Sequence, residues 1–348
     1  MIAALDATPL TVPTGGVTRY TSELARALAK HYEDDQYWLL SDQPFVMPTQ
    51  FAANLHKGEG PCNASERRWW LWGLEREMMR RGVEVFHGTD FSVPYLSRRP
   101  SVMTVHDLSP WLAHGAQEAS PRVRRRVPML LRARIPTMII TPSEAVRRAV
   151  MSRFKLDGAR VVAVPLAASN NFRPVETAPP ARPYFLFVGT LEPRKNISRL
   201  IEAWRELRKS QDIDLVLAGR VREGFTLPAQ EPGLRILGAV PEEDLPRLYS
   251  GAAAFVYPSL YEGFGLPVLE AMQCGATVIA SRDPAIMEVS GGAAVHVEAT
   301  DVRALADAMR ARPVRREDSL KRAAQFSWTI TAQKTREVYD VALRYFKK

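Results

Sequence analysis

Pro258-Ser-Leu-Tyr-Glu-Gly-Phe-Gly-Leu-Pro-Val-Leu-Glu-Ala-Met-Gln-Cys-Gly275 is the stretch whose reading decides the fold. The apolar run Ala252-Ala-Ala-Phe-Val-Tyr257 leads into it and stops at a proline, as a buried strand does. Gly263 and Gly265 bracket Phe264. Beyond them Leu266, Leu269 and Met272 recur on one helical face, and Gly275 ends the pattern. The stretch therefore reads as strand, glycine loop and helix. Glycines let backbone approach a ligand, and a helix N-terminus offers N–H groups to an anion. Carboxylates such as Glu262 and Glu270 accept from adjacent hydroxyls. Spacing alone leaves two readings open: a site for a ligand carrying both phosphate and sugar, or an ordinary βα turn with solvated glutamates.

The same unit recurs outward in both directions. Tyr184 to Thr190 reads as a strand, Leu191-Glu-Pro-Arg-Lys-Asn196 as a loop, and Ile197 to Lys209 as a helix. Arg194 and Lys195 are either a surface pair or cations for a departing diphosphate, which needs positive charge where negative charge develops. Ile213 to Gly219, Arg235 to Val240, Thr277 to Ser281 and Ala293 to Val297 read as further strands. Pro241 to Ser250 reads as a short helix, and two more are expected, one opened by Asp301 and one from Thr329 to Tyr345.

In the first half, Met1 to Asp6 reads as a strand and Ala7 to Thr14 as a loop, and Gly15-Gly16 precedes a helix. This is not the G-x-G-x-x-G fingerprint, so a nicotinamide site is disfavoured. Strands follow at Tyr37 to Ser41, Val83 to Gly88, Ser101 to Asp107, Met138 to Thr141 and Val161 to Val164, with Ser143 as a helix cap. His106-Asp107 lies at the carboxyl end of its strand, where ligands of such sheets gather, and His87-Gly88 is a weaker candidate of the same kind. Pro165 to Pro183 has no periodicity and reads as a linker. The pattern is α/β, two doubly wound domains in one chain.

Pro258 to Gly275 resembles the Glu-x7-Glu signature of glycosyltransferase family 4, retaining enzymes of the GT-B fold, and the resemblance continues over nearly the whole chain. It implies two Rossmann-like domains facing across a cleft: 1–168 on the acceptor side, 169–329 binding a nucleotide-sugar donor, and helix 330–348 packing back on the first. It implies that Glu262 holds donor-sugar hydroxyls, that Glu270 holds the ribose, and that the backbone of Gly263, Phe264, Gly265 and Leu266 faces sugar and diphosphate. Gly189 to Asn196 resembles the family's second signature, which assigns Gly189, Arg194 and Lys195 to the diphosphate. Gly15 and Gly16 are implied to lie across the cleft from the donor, and His106 beside the donor sugar. The implied reaction is retaining transfer of a hexose from a GDP- or UDP-type sugar to a glycan or lipid-linked acceptor in cell-surface polysaccharide assembly. Mannose is the leading reading. No cofactor or metal is expected, because protein cations would carry the leaving group's charge. Two alternatives come from other classes: a sugar-nucleotide epimerase of the same architecture, and a non-catalytic basic protein binding nucleic acid or membranes.

The 348 residues, 46% hydrophobic and 24% charged, suffice for two globular domains. Two cysteines, Cys62 and Cys274, exclude a disulfide framework and fit a reducing cytoplasm. No membrane span or signal-peptide pattern is read. A net charge of +9 implies an anionic partner. Nucleic acid is disfavoured, since no binding motif is present. The basic run Arg122 to Arg134 is either a solvated helix face, with a kink at Pro128, or a contact for an anionic membrane or phosphorylated acceptor. From Glu66 to Gly82 the plain reading is an amphipathic helix on the sheet through Leu71, Leu74 and Met78. The sharper one puts Trp69, Trp70 and Trp72 at a membrane interface.

Overall fold

The computed structural model describes residues 1–12, 15–96, 98–112, 121–226, 229 and 231–346, with side chains at 121 and 122 excepted. The sequence expectations for Thr14, for the Arg122 side chain and for 347–348 lie outside these. The chain forms two compact units, Met1–Leu166 with Ser327–Lys348, and Ala167–Phe326.

The first unit runs β1 (Ile2–Asp6), α1 (Gly16–His31), β2 (Gln36–Leu40), β3 (Leu55–Lys57), α2 (Leu74–Arg80), β4 (Val85–Gly88), β5 (Ser101–Thr104), α3 (Pro121–Arg132), β6 (Met138–Thr141), α4 (Glu144–Phe154) and β7 (Val161–Ala163). Among the described residues its sheet has the order β3-β2-β1-β4-β5-β6-β7, with every pairing parallel. Parallel strands are covered on both faces, which is why Val85–Gly88, Ser101–Thr104 and Met138–Thr141 are buried at every position. Strand order reverses between β1 and β4, so the loops leaving their carboxyl ends flank a switch point.

The second unit runs β8 (Tyr184–Val188), α5 (Ile197–Arg208), β9 (Asp214–Ala218), β10 (Leu234–Gly238), α6 (Leu245–Gly251), β11 (Ala254–Tyr257), α7 (Leu266–Gln273), β12 (Val278–Ser281), α8 (Pro284–Ser290), β13 (Val295–Val297), α9 (Val302–Ala311) and α10 (Arg316–Ala323). Its parallel sheet is ordered β10-β9-β8-β11-β12-β13. Here the switch point falls between β8 and β11, whose carboxyl-end loops carry Arg194-Lys195 and Glu262. The last helix, α11 (Trp328–Phe346), belongs to the first unit. Tyr339 on it hydrogen-bonds His87 Nδ1 (2.8 Å), and Arg336 Nε donates to Asp35 Oδ2 (2.6 Å).

Four readings of the sequence need correction. Trp69 is core, not interface: it packs with Leu40, Leu74, Met78 and Phe86, while Trp70 is half-buried and Trp72 exposed. Glu66 to Gly82 is also not one helix, since a π-helical turn, Trp69–Gly73, precedes α2. Pro165 to Pro183 is not a free linker. Phe172 is buried against Tyr249, Gln273 Nε2 donates to the Ser169 carbonyl (2.9 Å), and the Val175 N–H donates to Ser250 Oγ (3.1 Å). Pro128 does not break α3. A proline there cannot donate to the carbonyl of Arg124, four residues back, and the Trp111 indole N–H donates to that carbonyl instead (3.2 Å).

Candidate active site

Glu262 is buried in the loop after β11, and two cations converge on it. Lys195 Nζ donates to Glu262 Oε1 (2.5 Å) and to the Tyr257 hydroxyl (2.6 Å). Arg194 Nη1 donates to Glu262 Oε2 (3.3 Å) and to the Tyr261 carbonyl (2.7 Å), while its Nη2 donates to Glu192 Oε1 (2.8 Å). Arg222 pairs with the other oxygen of Glu192. Burial pushes the Glu262 carboxyl up, but Lys195 and Arg194 outweigh it and hold the group at about 2. Burial holds the Lys195 ammonium below its usual range despite Glu262. On the lysine desolvation wins, and on the carboxylate the pairing wins; both directions follow from burying one ion pair.

Local sequence explains how these groups meet. Asn196 takes the left-handed conformation (φ 61°), which ends the Pro193–Lys195 turn and starts α5. Its side-chain amide donates to the Pro258 and Ala299 carbonyls (3.1 and 2.6 Å), and the Leu260 N–H donates to the Arg194 carbonyl (2.9 Å). The two switch-point loops are thereby laced together. Gly265 precedes α7 with φ 97°, a conformation that side chains resist. Gly219, at the end of β9, is required by space: a Cβ there would lie 1.9 Å from the Gly189 carbonyl oxygen.

Gly263 and Phe264 are buried, and the Phe264 ring packs edge-on against Phe326 (centroids 5.9 Å apart). Leu266 opens α7 half-buried, and Glu270, one turn on, accepts from the Tyr249 hydroxyl (3.0 Å). Gly189 follows β8 and donates its N–H to the Ala218 carbonyl (2.9 Å). The structure thus brings Glu262, Arg194 and Lys195 into one cluster. It sets both cations against carboxylates, where the sequence reading had them facing a diphosphate only. An Asp-x-Asp spacing occurs at Asp212-Ile-Asp214. It lies at the amino end of β9, opposite the carboxyl-end loops, and Asp212 pairs with Arg182 (3.4 Å).

In the first unit His106 Nε2 donates to the Thr89 carbonyl (2.7 Å), and its ring meets the Tyr20 ring edge-on (4.9 Å). Asp107 Oδ1 accepts from the Ser109 N–H and hydroxyl (2.8 and 2.6 Å) and shapes the next turn. Gly15 and Gly16 are exposed at the start of α1. His87 is structural: fully buried, it bonds Tyr339 and Thr104 (2.7 Å), and burial pushes it down to about 3, neutral at pH 7.

The residues that sequence reasoning missed are Glu192, Tyr257 and Asp283. Glu192 divides Arg194 from Arg222, and Tyr257 is the second partner of Lys195. Asp283 accepts from the Glu262 N–H (3.2 Å). The Asp283-Pro284 pair was a legible helix-start signal. Nothing local marks the other two.

Two doubly wound parallel sheets, with a buried glutamate–lysine–arginine cluster at the switch point of the second, define a GT-B glycosyltransferase. Within that class the chain belongs to glycosyltransferase family 4: residues 14–171 match the model Glycosyltransferase Family 4, and 169–312 match Glycosyl transferases group 1. The chain is 31% identical to an O-antigen chain mannosyltransferase B from Escherichia coli, over 96% of this chain and 98% of that one. Among solved structures it resembles a sucrose-phosphate synthase from Thermosynechococcus elongatus, with a TM-score of 0.74, 21% identity and 98% of each chain covered. It also resembles the Anabaena protein HepE in complex with UDP and glucose, with a TM-score of 0.70, 18% identity, and 97% and 98% covered. Both likenesses speak for the fold.

Proposed function

We propose that this glycosyltransferase moves mannose, with retention of configuration, from a GDP sugar to a glycan or lipid-linked acceptor in cell-surface polysaccharide assembly. The sugar and acceptor class follow the name of the E. coli relative, and the UDP of the HepE complex supports a nucleoside diphosphate as leaving group. The observation that carries the reading is the cluster of Glu262, Lys195 and Arg194 at the switch point. Glu262 would hold sugar hydroxyls, and Glu270 the ribose. The backbone of Gly263 to Leu266 and the α7 N-terminus would face the diphosphate. An incoming diphosphate competes with Glu262 for Lys195 and Arg194. As the bond from the anomeric carbon to the phosphate oxygen breaks, those cations stabilise the charge that develops. The acceptor oxygen bonds the anomeric carbon on the same face, and its proton passes to the departing phosphate oxygen. His106, Gly15 and Gly16 are assigned to the same reaction from the first unit.

This reading gives the leaving group's charge to side chains, so chelator should leave turnover intact. The anionic membrane surface is assigned to Arg124, Arg125, Arg132 and Arg134, which are exposed. Among the described residues no helix is long and apolar enough to cross a membrane. A panel of nucleoside diphosphates and their sugars tests the donor. A ligand of the native state at a hundred times its Kd adds about 2.7 kcal/mol. GDP and GDP-mannose should raise the melting temperature most; the absence of any shift would remove the donor reading. GDP-mannose altered by the enzyme alone, with its GDP retained, would instead mark an epimerase.

A further inference from the structure

We propose that Asp283 is a positioning residue for Glu262, fixing that carboxylate through its backbone N–H; the proposal rests on the reading of Glu262 given above. Asp283 follows β12 and is buried. Its Oδ1 accepts from the Ala285 and Ile286 N–H groups (2.9 and 3.2 Å) and so caps α8, while its Oδ2 accepts from the Glu262 N–H (3.2 Å). The neighbouring loop residues are pinned in turn. Asn196 donates to the Pro258 carbonyl, the Ser281 hydroxyl to the Ser259 carbonyl (2.6 Å), and Arg194 to the Tyr261 carbonyl. Asp283 is the anchor on the backbone of Glu262, whose carboxylate Lys195 and Arg194 hold.

A helix cap alone does not call for an aspartate here. Serine or asparagine would cap α8 as well, without burying an anion beside Glu262. What a carboxylate adds is a second acceptor oxygen on the same side chain. The charged group facing it across the loop is Glu262, with Lys195 and Arg194 beyond. Its neighbour Arg282 is exposed and lies 3.7 Å from Glu298. Burial, together with Glu262, lifts the Asp283 carboxyl to about 6. Acidification from pH 7 to 5 therefore protonates Asp283 while Glu262 stays ionised, weakening the anchor and leaving the anchored group's charge intact.

The test uses the full chain with GDP-mannose as donor and GDP as binding probe, comparing Asp283→Asn, Asp283→Ser and Glu262→Gln from pH 5 to 8. Both Asp283 variants keep a cap for α8, but asparagine turns an NH2 toward the Glu262 N–H and serine falls short of it. Expected are GDP affinity close to wild type and kcat lower by about tenfold or more, as for a misplaced group at a reacting centre. The wild-type fall in kcat below pH 6 should be absent from both variants. Wild-type kcat in both variants, or a drop in kcat matched by equal losses of GDP affinity and melting temperature, would overturn the proposal and leave Asp283 as a helix cap. Full turnover in Glu262→Gln would remove the underlying reading of the site, whatever the Asp283 variants do.

Discussion

Lys195 and Glu262 hold each other in the interior of the second unit, each nearly closed to solvent. Removing one partner of such a pair strands the other, at about 3–5 kcal/mol. Lys195→Met should therefore destabilise by that order in urea unfolding, and adding Glu262→Gln should restore part of the loss. Losses that simply add would show that the two do not interact. The pH dependence has a definite sign. The Glu262 carboxyl sits at about 2 in the fold, against an ordinary 4.5. Its contribution is complete above pH 4.5 and lost as pH falls toward 2. Asp283, raised from 3.8 to about 6, works the other way, since acidification through 6 relieves a buried charge. Stability from these two groups should rise as pH falls from 7 to about 4.5, because Asp283 is relieved while Glu262 is unaffected, and fall toward pH 2, with the rise absent from Asp283→Asn and the fall shallower in Glu262→Gln. At this scale Glu262, Arg194 and Lys195 stood out because they sit in short loops between a strand and a helix, and Glu270 because it follows Glu262 at a fixed spacing on α7. Asp283 was legible only as a helix start, and Tyr257 and Glu192 not at all, because Lys195, Arg222 and the Glu262 N–H are brought to them by tertiary structure.

Helix α3 illustrates the scale of single elements. Its apolar positions Val127, Leu130 and Leu131 are buried, Val123 is half-buried, and its arginines divide. Arg124 and Arg125 are exposed, while Arg126 donates to Ser92 Oγ (2.7 Å) and lies over the Trp70 and Tyr95 rings (5.4 and 5.5 Å). The helix continues through Pro128, and the Trp111 indole N–H donates to the Arg124 carbonyl that Pro128 cannot serve. Trp111→Phe should then cost about 1 kcal/mol, the net value of one such hydrogen bond, and Pro128→Ala should cancel that loss by supplying the missing N–H. Equal cost of Trp111→Phe with proline or alanine at 128 would show that the indole N–H plays no part. Periodicity cannot report a tryptophan that substitutes for a backbone donor from outside the helix. It also gave no notice of β3, α8 or α10, which span three, seven and eight residues and are too short to carry a pattern.

At the scale of the whole molecule, the repeated strand–loop–helix pattern was enough to read two doubly wound units, because parallel strands must be buried on both faces and so stand out as apolar runs. The boundaries fall at 166/167 and 326/327, against 168/169 and 329/330 implied by the resemblance. Residues after 167 look like a linker in composition yet cover the second unit through Phe172. The excess positive charge belongs to this scale too. Reversing Arg124 and Arg125, with Arg126 left in its aromatic seat, should weaken binding to anionic vesicles at low salt and leave donor turnover unchanged. Unchanged vesicle binding would make that face merely solvated.

The central claim is that the cluster in the second unit holds the sugar of a nucleotide donor through Glu262. Its most direct test compares GDP affinity and GDP-mannose turnover in wild type and Glu262→Ala. A group that acts on the sugar should leave GDP affinity within about threefold while turnover falls by about a hundredfold or more. Collapse of GDP affinity with normal turnover of bound donor would contradict the claim.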